Sequence, residues 1–205
     1  MRNRINKKDR KVQTNSYYLF GLHSVSKAIS NPKRKKLELW VTKNAYNKLI
    51  SKVKLPTIPT YFIENTSKLP ISKQNVHQGA ILKVLPLNQK LEKEMLTGKG
   101  RNIVIVLDKV TDPQNVGTII RTSSFFGCVA VINSEKGGAG EGGALVKGAS
   151  GAFETIPYIL AKNISQTLGF FKKYGFFVIG MEAKADLNIN SDFFSKFENN
   201  LVLVF

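Results

Sequence analysis

Four short runs of nearly uninterrupted apolar residues, NIVIVLD (102–108), CVAVIN (128–133), GFFVIGM (175–181) and LVLVF (201–205), restrict what this chain can fold into. A strand with one face in water alternates polar and apolar residues. These runs do not alternate, so they read as strands covered on both faces, the pattern of a parallel sheet. The segments between them predict helices at 115–126, 143–151 and 163–174. Residues 102–205 therefore read as a doubly wound α/β domain, in which ligands sit outside the carboxyl ends of the strands. The last run reaches Phe205, so the reading expects a core strand that ends the chain without a helix to cover it, as in a domain incomplete at its C-terminus.

The first half is built differently. Residues 1–15 (MRNRINKKDRKVQTN) hold six basic residues in the first eleven and almost nothing apolar, and they read as a disordered basic arm. From residue 16 the pattern is globular. LFGLHSVSKAIS has helical spacing and stops at Asn31-Pro32; LELWV (37–41) reads as a strand, NAYNKLISKV (44–53) as a helix, and TYFI (60–63) and HQGAILKVL (77–85) as further strands. That alternation predicts a small α/β domain over 16–85. PLNQKLEKEMLTGKGR (86–101), charged and bounded by Pro and Gly, reads as a helical linker.

Charge separates the two halves more sharply than composition does. Residues 1–100 carry 21 Lys/Arg against 5 Asp/Glu, whereas residues 101–205 carry 10 against 9. A lysine-rich proteome would raise both halves alike. An N-terminal half that binds a polyanion explains the asymmetry, and nucleic acid is the obvious one. PKRKK (32–36) is the densest cluster after the arm, which makes Lys33, Arg34, Lys35 and Lys36 candidate RNA contacts. No run approaches the length of a membrane span, and the basic N-terminus lacks the apolar stretch of a secretory signal. With Cys128 as the single cysteine there is no disulfide framework, and a reducing cytoplasm is expected.

Several chemistries lack their residues. No G-x-G-x-x-G follows a strand, which removes the support for a nucleotide-binding oxidoreductase, and no P-loop occurs. His23 and His77 have no Cys or acidic partners at metal-ligand spacing, so no metal site is expected. The second domain contains no His, so no Ser/His/Asp triad can be assembled there. The Gly-rich stretch GGAGEGGALVKGASGAFETIP (137–157) lacks the Lys-Ser/Thr ending of a phosphate loop and reads as a loop with tight helix packing. What remains is the loop at the first apolar strand's end, DKVTDPQNVGTIIRT (108–122). Pro113 fixes its turn, Asn115 is the expected N-cap, Gly117 permits a close approach, and Arg121 is a lone cation on the helix behind it.

The pattern D-x-x-x-D-P-Q-N-V-G-x-x-x-R-T, Asp108 to Thr122, resembles the first motif of the SpoU/TrmH family of RNA ribose 2'-O-methyltransferases. YYLFGLHSVSKAI and HQGAILKV look like the opening and closing segments of that family's substrate-binding domain, and KGASGAFETIPYI, GFFVIGMEAKAD and LVLVF like successive parts of its catalytic domain. The resemblance implies a small RNA-binding domain followed by a parallel-sheet α/β methyltransferase domain of the knotted class. It also implies S-adenosylmethionine as cofactor, tRNA or rRNA as partner, and a homodimer for the complete family member. By the same resemblance Asn115 matches the asparagine that helps hold the active-site loops, and Arg121 the arginine assigned to activating the ribose hydroxyl. Gly180 and Met181 fall at the cofactor side. The family's Gly-Ser-Glu-Gly motif and its third motif are expected beyond Phe205, and without them the reading expects no methyl transfer from this chain. The alternative from another class is a catalytically inactive RNA-binding remnant. Arginine, with a pKa above about 12, is a poor base. A two-point grip on a phosphate suits Arg121 better, with a relayed proton transfer as the other possibility.

Overall fold

The computed structural model describes residues 16–64, 69–72, 75–87, 89–90, 96, 100–187, 193–194 and 200–205. The expected basic arm at 1–15 and most of the expected linker helix at 86–101 lie outside the described residues.

The first sheet contains β1 (Tyr17–Phe20), β2 (Lys36–Val41), β3 (Thr60–Phe62) and β4 (Ala80–Val84), in the order β1-β4-β2-β3. β4 pairs antiparallel with β1 and with β2, while β2 and β3 run parallel. Helices α1 (Leu22–Ser30) and α2 (Lys43–Ile50) bury Val25, Ala28, Ala45 and Leu49 against it. The sequence pattern predicts a helix that already includes Leu19 and Phe20. Instead these residues belong to β1, where they pair with Leu82 and Ile81, and the chain turns at Gly21 before α1 begins. Thr42 caps α2 by accepting a hydrogen bond from the Ala45 amide at 3.2 Å.

The second sheet contains β5 (Ile103–Leu107), β6 (Ala130–Ser134), β7 (Tyr158–Ala161), β8 (Phe177–Gly180) and β9 (Leu201–Val204). All five strands are parallel, in the order β7-β6-β5-β9-β8. The four apolar runs form β5, β6, β8 and β9, and Val104, Val106, Ile132 and Val202 are buried in the core there. The helices α3 (Pro113–Phe125), α4 (Gly143–Gly148) and α5 (Ile164–Lys173) accompany them. The chain steps from β5 through β6 to β7, then crosses to β8 at the far edge and returns to β9 beside β5. The direction of winding reverses at β5 and β9, which places the expected ligand crevice at their carboxyl ends.

A small mixed α/β unit followed by a parallel α/β unit is the fold class the sequence predicts. The two units share one core: Leu19 and Val25 of the first belong to the same buried cluster as Leu145, Val146 and Phe153 of the second. Ser24 Oγ donates to the Val146 carbonyl at 3.3 Å across this boundary. Among the described residues, no helix is long and apolar enough to cross a membrane.

Candidate active site at the domain junction

Asp112, not Asn115, caps α3. Its side chain accepts from the Gln114 amide at 3.1 Å, and Pro113 occupies the first helical position, where a missing N–H costs nothing. The expected start at Asn115 is therefore two residues late, and Asn115 stands exposed inside the first turn. Gly117 explains the glycine of the loop motif. α3 crosses α4 there so closely that a Cβ on Gly117 would lie 2.5 Å from the Leu145 carbonyl oxygen and 2.9 Å from the Ala149 amide nitrogen.

This crossing aims one side of α3 at the first domain. Gln114, Thr118 and Arg121, at positions i, i+4 and i+7, line a groove of about 460 Å³ together with Lys147, Gly148 and Ser150 of the α4 segment. Phe20, Asn75 and Val76 of the first domain complete it. Asn115 lies about 120° around the helix from Arg121 and does not line the groove. The structure thus joins Arg121 to Gln114, Thr118 and Lys147, which the sequence reading passed over. The i, i+4, i+7 polar spacing on α3 was the available signal for the first two.

The cluster at 32–36 divides. Lys33 and Lys35 are exposed, as a phosphate contact requires. Lys36 is half-buried, burial lowers its pKa, and its ammonium donates to the Asn31 carbonyl at 2.6 Å. Arg34 has to be removed from the RNA-facing set, because its side chain is 0% exposed. It donates to Glu154 at 2.6 Å, to Glu141 at 2.5 Å, to the Tyr17 hydroxyl at 3.2 Å and to the Leu85 carbonyl at 3.0 Å. Burial alone would lower the Arg34 pKa, but the hydrogen bonds to Glu154 and Glu141 and the charges of Tyr17 and Glu154 outweigh it and hold the guanidinium above its usual range. Burial and the neighbouring Glu141 carboxylate likewise raise the Tyr17 hydroxyl. Glu141 and Glu154 belong to the second unit, so this ionic cluster ties the two units together beside the groove.

At the sheet's carboxyl edge, Val106, Val204 and Gly180 end level. Phe205 donates to the Val106 carbonyl at 2.9 Å, and Met181 donates to the Val204 carbonyl at 2.7 Å. Gly180 is exposed, and a Cβ built there would meet nothing within 4 Å. A second concavity of about 510 Å³ is apolar, walled by Ile103, Ile105, Ile119, Leu203 and Phe205 with Cys128. Burial raises the pKa of the Cys128 thiol, against a smaller downward pull from Ser123.

With this geometry in place, the comparisons with known proteins are decisive. The family model described as "SpoU rRNA Methylase family" matches residues 102–205, and that for "RNA 2'-O ribose methyltransferase substrate binding" matches residues 18–90. The chain belongs to the SpoU rRNA methylase family. Among SpoU relatives, the 23S rRNA (guanosine-2'-O-)-methyltransferase RlmB of Haemophilus influenzae is 30% identical over 197 residues, covering 92% of this chain and 79% of the relative. The enzyme of that name from Neisseria meningitidis serogroup B is 29% identical over 177 residues, with 82% and 71% covered. The SpoU methyltransferase AviRb from Streptomyces viridochromogenes, solved in complex with the cofactor AdoMet, superposes with a TM-score of 0.70 over 98% of this chain and 76% of that one, at 13% identity. This chain and AviRb thus share the SpoU fold.

Proposed function

We propose that this SpoU family member methylates a ribose 2'-hydroxyl of ribosomal RNA in the cytoplasm, with S-adenosylmethionine as donor. The observation that carries the proposal is Arg121, exposed in a polar groove that both units build, on the helix that follows the strand at the winding reversal. The relatives named above are methyltransferases, which favours the enzymatic reading over an RNA-binding remnant and over the expected lack of methyl transfer.

Bound S-adenosylmethionine supplies a methyl group made electrophilic by its sulfonium. Gly180 and Met181, at the carboxyl end of β8, are the residues that would hold it. The chain's own task is to bring the hydroxyl into line and exclude competing orientations, for which rigid positioning is worth several orders of magnitude. Arg121 serves this by a planar two-point grip on the phosphate beside the target ribose. By the family resemblance Asn115, exposed in the first turn of α3, would help hold the loops at the strand ends. Labour divides along the chain: residues 16–85 gather RNA, with exposed Lys33 and Lys35 among their contacts, and residues 102–205 carry the chemistry. The apolar concavity lined by Ile103 and Leu203, with Phe125 83% and Phe126 71% exposed nearby, supports assembly with a second copy.

The test is transfer of a tritiated methyl group to rRNA that lacks its native modifications, followed by nuclease digestion. A labelled 2'-O-methylnucleoside that disappears with Arg121→Ala is the expected product. Label on a base, or no incorporation, would overturn the proposal.

A further inference from the structure

The junction groove holds a second cation in addition to Arg121. Lys147 lies next to Gly148, where α4 meets α3 with 3.3 Å between the Gly148 Cβ position and the Gln114 carbonyl oxygen. Its stem runs along the first domain, with Cγ 3.7 Å from the Cβ position of Gly21, and its ammonium sits 5.6 Å from the centre of the Phe20 ring. An aromatic face holds a cation in place without neutralising it. Among the described residues neither Lys147 nor Arg121 is ion-paired, while the nearby carboxylates Glu141 and Glu154 are both engaged by Arg34. Two unneutralised cations in a concave, mostly polar site focus potential on whatever enters it.

The site is nucleotide-sized, and its lip carries Val76, an apolar side chain 63% exposed. A base stacked inside a helix cannot enter such a groove, whereas an unpaired base turned out of its stack can lie against an apolar surface while its phosphates meet cations. We infer that Lys147 is a positioning residue for RNA: it binds a phosphate next to the one gripped by Arg121, so that one unpaired nucleotide lies across the domain junction with its base against Val76. The fate of that nucleotide rests on the methyltransferase reading; its seat does not.

The experiment is fluorescence anisotropy on the full chain without methyl donor. The probes are a single-stranded RNA and a blunt duplex of the same sequence, titrated over a range of salt concentrations. Lys147→Gln is expected to weaken single-strand binding about tenfold and to reduce the slope of log K against log salt by about 0.7, the value for one phosphate left unneutralised on a single strand. Lys147→Arg should restore both, and duplex binding should stay unchanged. Val76→Asp, an exposed substitution with no folding penalty expected, should weaken single-strand binding selectively. An unchanged single-strand slope in Lys147→Gln, or equal losses on both probes, would overturn the inference and make Lys147 one more surface cation. Lys147-dependent binding by a protein that transfers no methyl group would keep the seat and refute the enzymatic reading instead.

Discussion

Arg121 is exposed and has no ion-pair partner among the described residues, so replacing it should spare the fold. Arg121→Ala is expected to lower methyl transfer by about 10²-fold or more, as loss of substrate alignment does. Arg121→Lys should fail too, because an ammonium cannot make the planar two-point contact; near-normal turnover by the lysine variant would mean that positive charge alone suffices. Gly117→Ala has the opposite profile. Its new methyl group would run into the backbone of α4 at Leu145 and Ala149, so the expected effect is a loss of about 1–3 kcal/mol in chemical denaturation. Both residues were legible in the sequence, since a glycine in a loop motif and a lone arginine behind it are hard to explain otherwise. Lys147 was not, because one lysine among many carries no mark of its surroundings. Arg34 misled for the same reason: residue type shows that a charge exists, but only the tertiary structure shows that two glutamates more than 100 positions away enclose it.

Among the elements, β5, β6 and β9 were visible as apolar runs because neighbours flank them on both sides in the sheet, and β8, although an edge strand with Phe177 exposed, keeps an apolar run all the same. β7 was not visible. At the edge opposite β8, it exposes Leu160 and buries Tyr158 in a run of only four residues, and β1 is too short to stand out from the helix that follows it. β7 is fixed through its first residue. The Tyr158 hydroxyl donates to the Ala139 carbonyl at 2.5 Å and accepts from Asn133 Nδ2 at 3.1 Å, linking β6, β7 and the Gly-rich stretch before α4. Burial pushes this hydroxyl up to about 12 from its ordinary value of 10.0, against a smaller downward pull from Asn133. A group raised on folding contributes stability that is complete below its unfolded pKa and lost as pH rises through its folded one. Tyr158 should therefore destabilise the fold progressively between about pH 10 and pH 12. Urea midpoints followed over that window should fall less steeply for Tyr158→Phe than for the wild type, and parallel curves would show that the hydroxyl plays no part.

Over the whole molecule, charge is arranged in two ways. On the surface of the first unit, exposed Lys33 and Lys35 remain available to RNA. Replacing both by Gln should flatten the salt dependence of RNA binding by up to about 0.9 log unit for each duplex phosphate that is no longer neutralised. Inside, Arg34 acts through structure. Arg34→Gln leaves Glu141 and Glu154 without their counter-ion, at an expected cost of about 3–5 kcal/mol in denaturant unfolding. The salt slope of whatever stays folded should not change, which separates Arg34 from its lysine neighbours. The same cluster also limits how such enzymes could be recombined. A substrate domain transplanted from another protein onto this catalytic sheet would bring a clean boundary in sequence and still fail at the joint unless it carried an arginine and a tyrosine at the places of Arg34 and Tyr17. Breeding a new RNA preference by exchanging the first domain therefore means keeping Arg34 and Tyr17 matched to Glu141 and Glu154 across the joint, however modular the chain looks on paper.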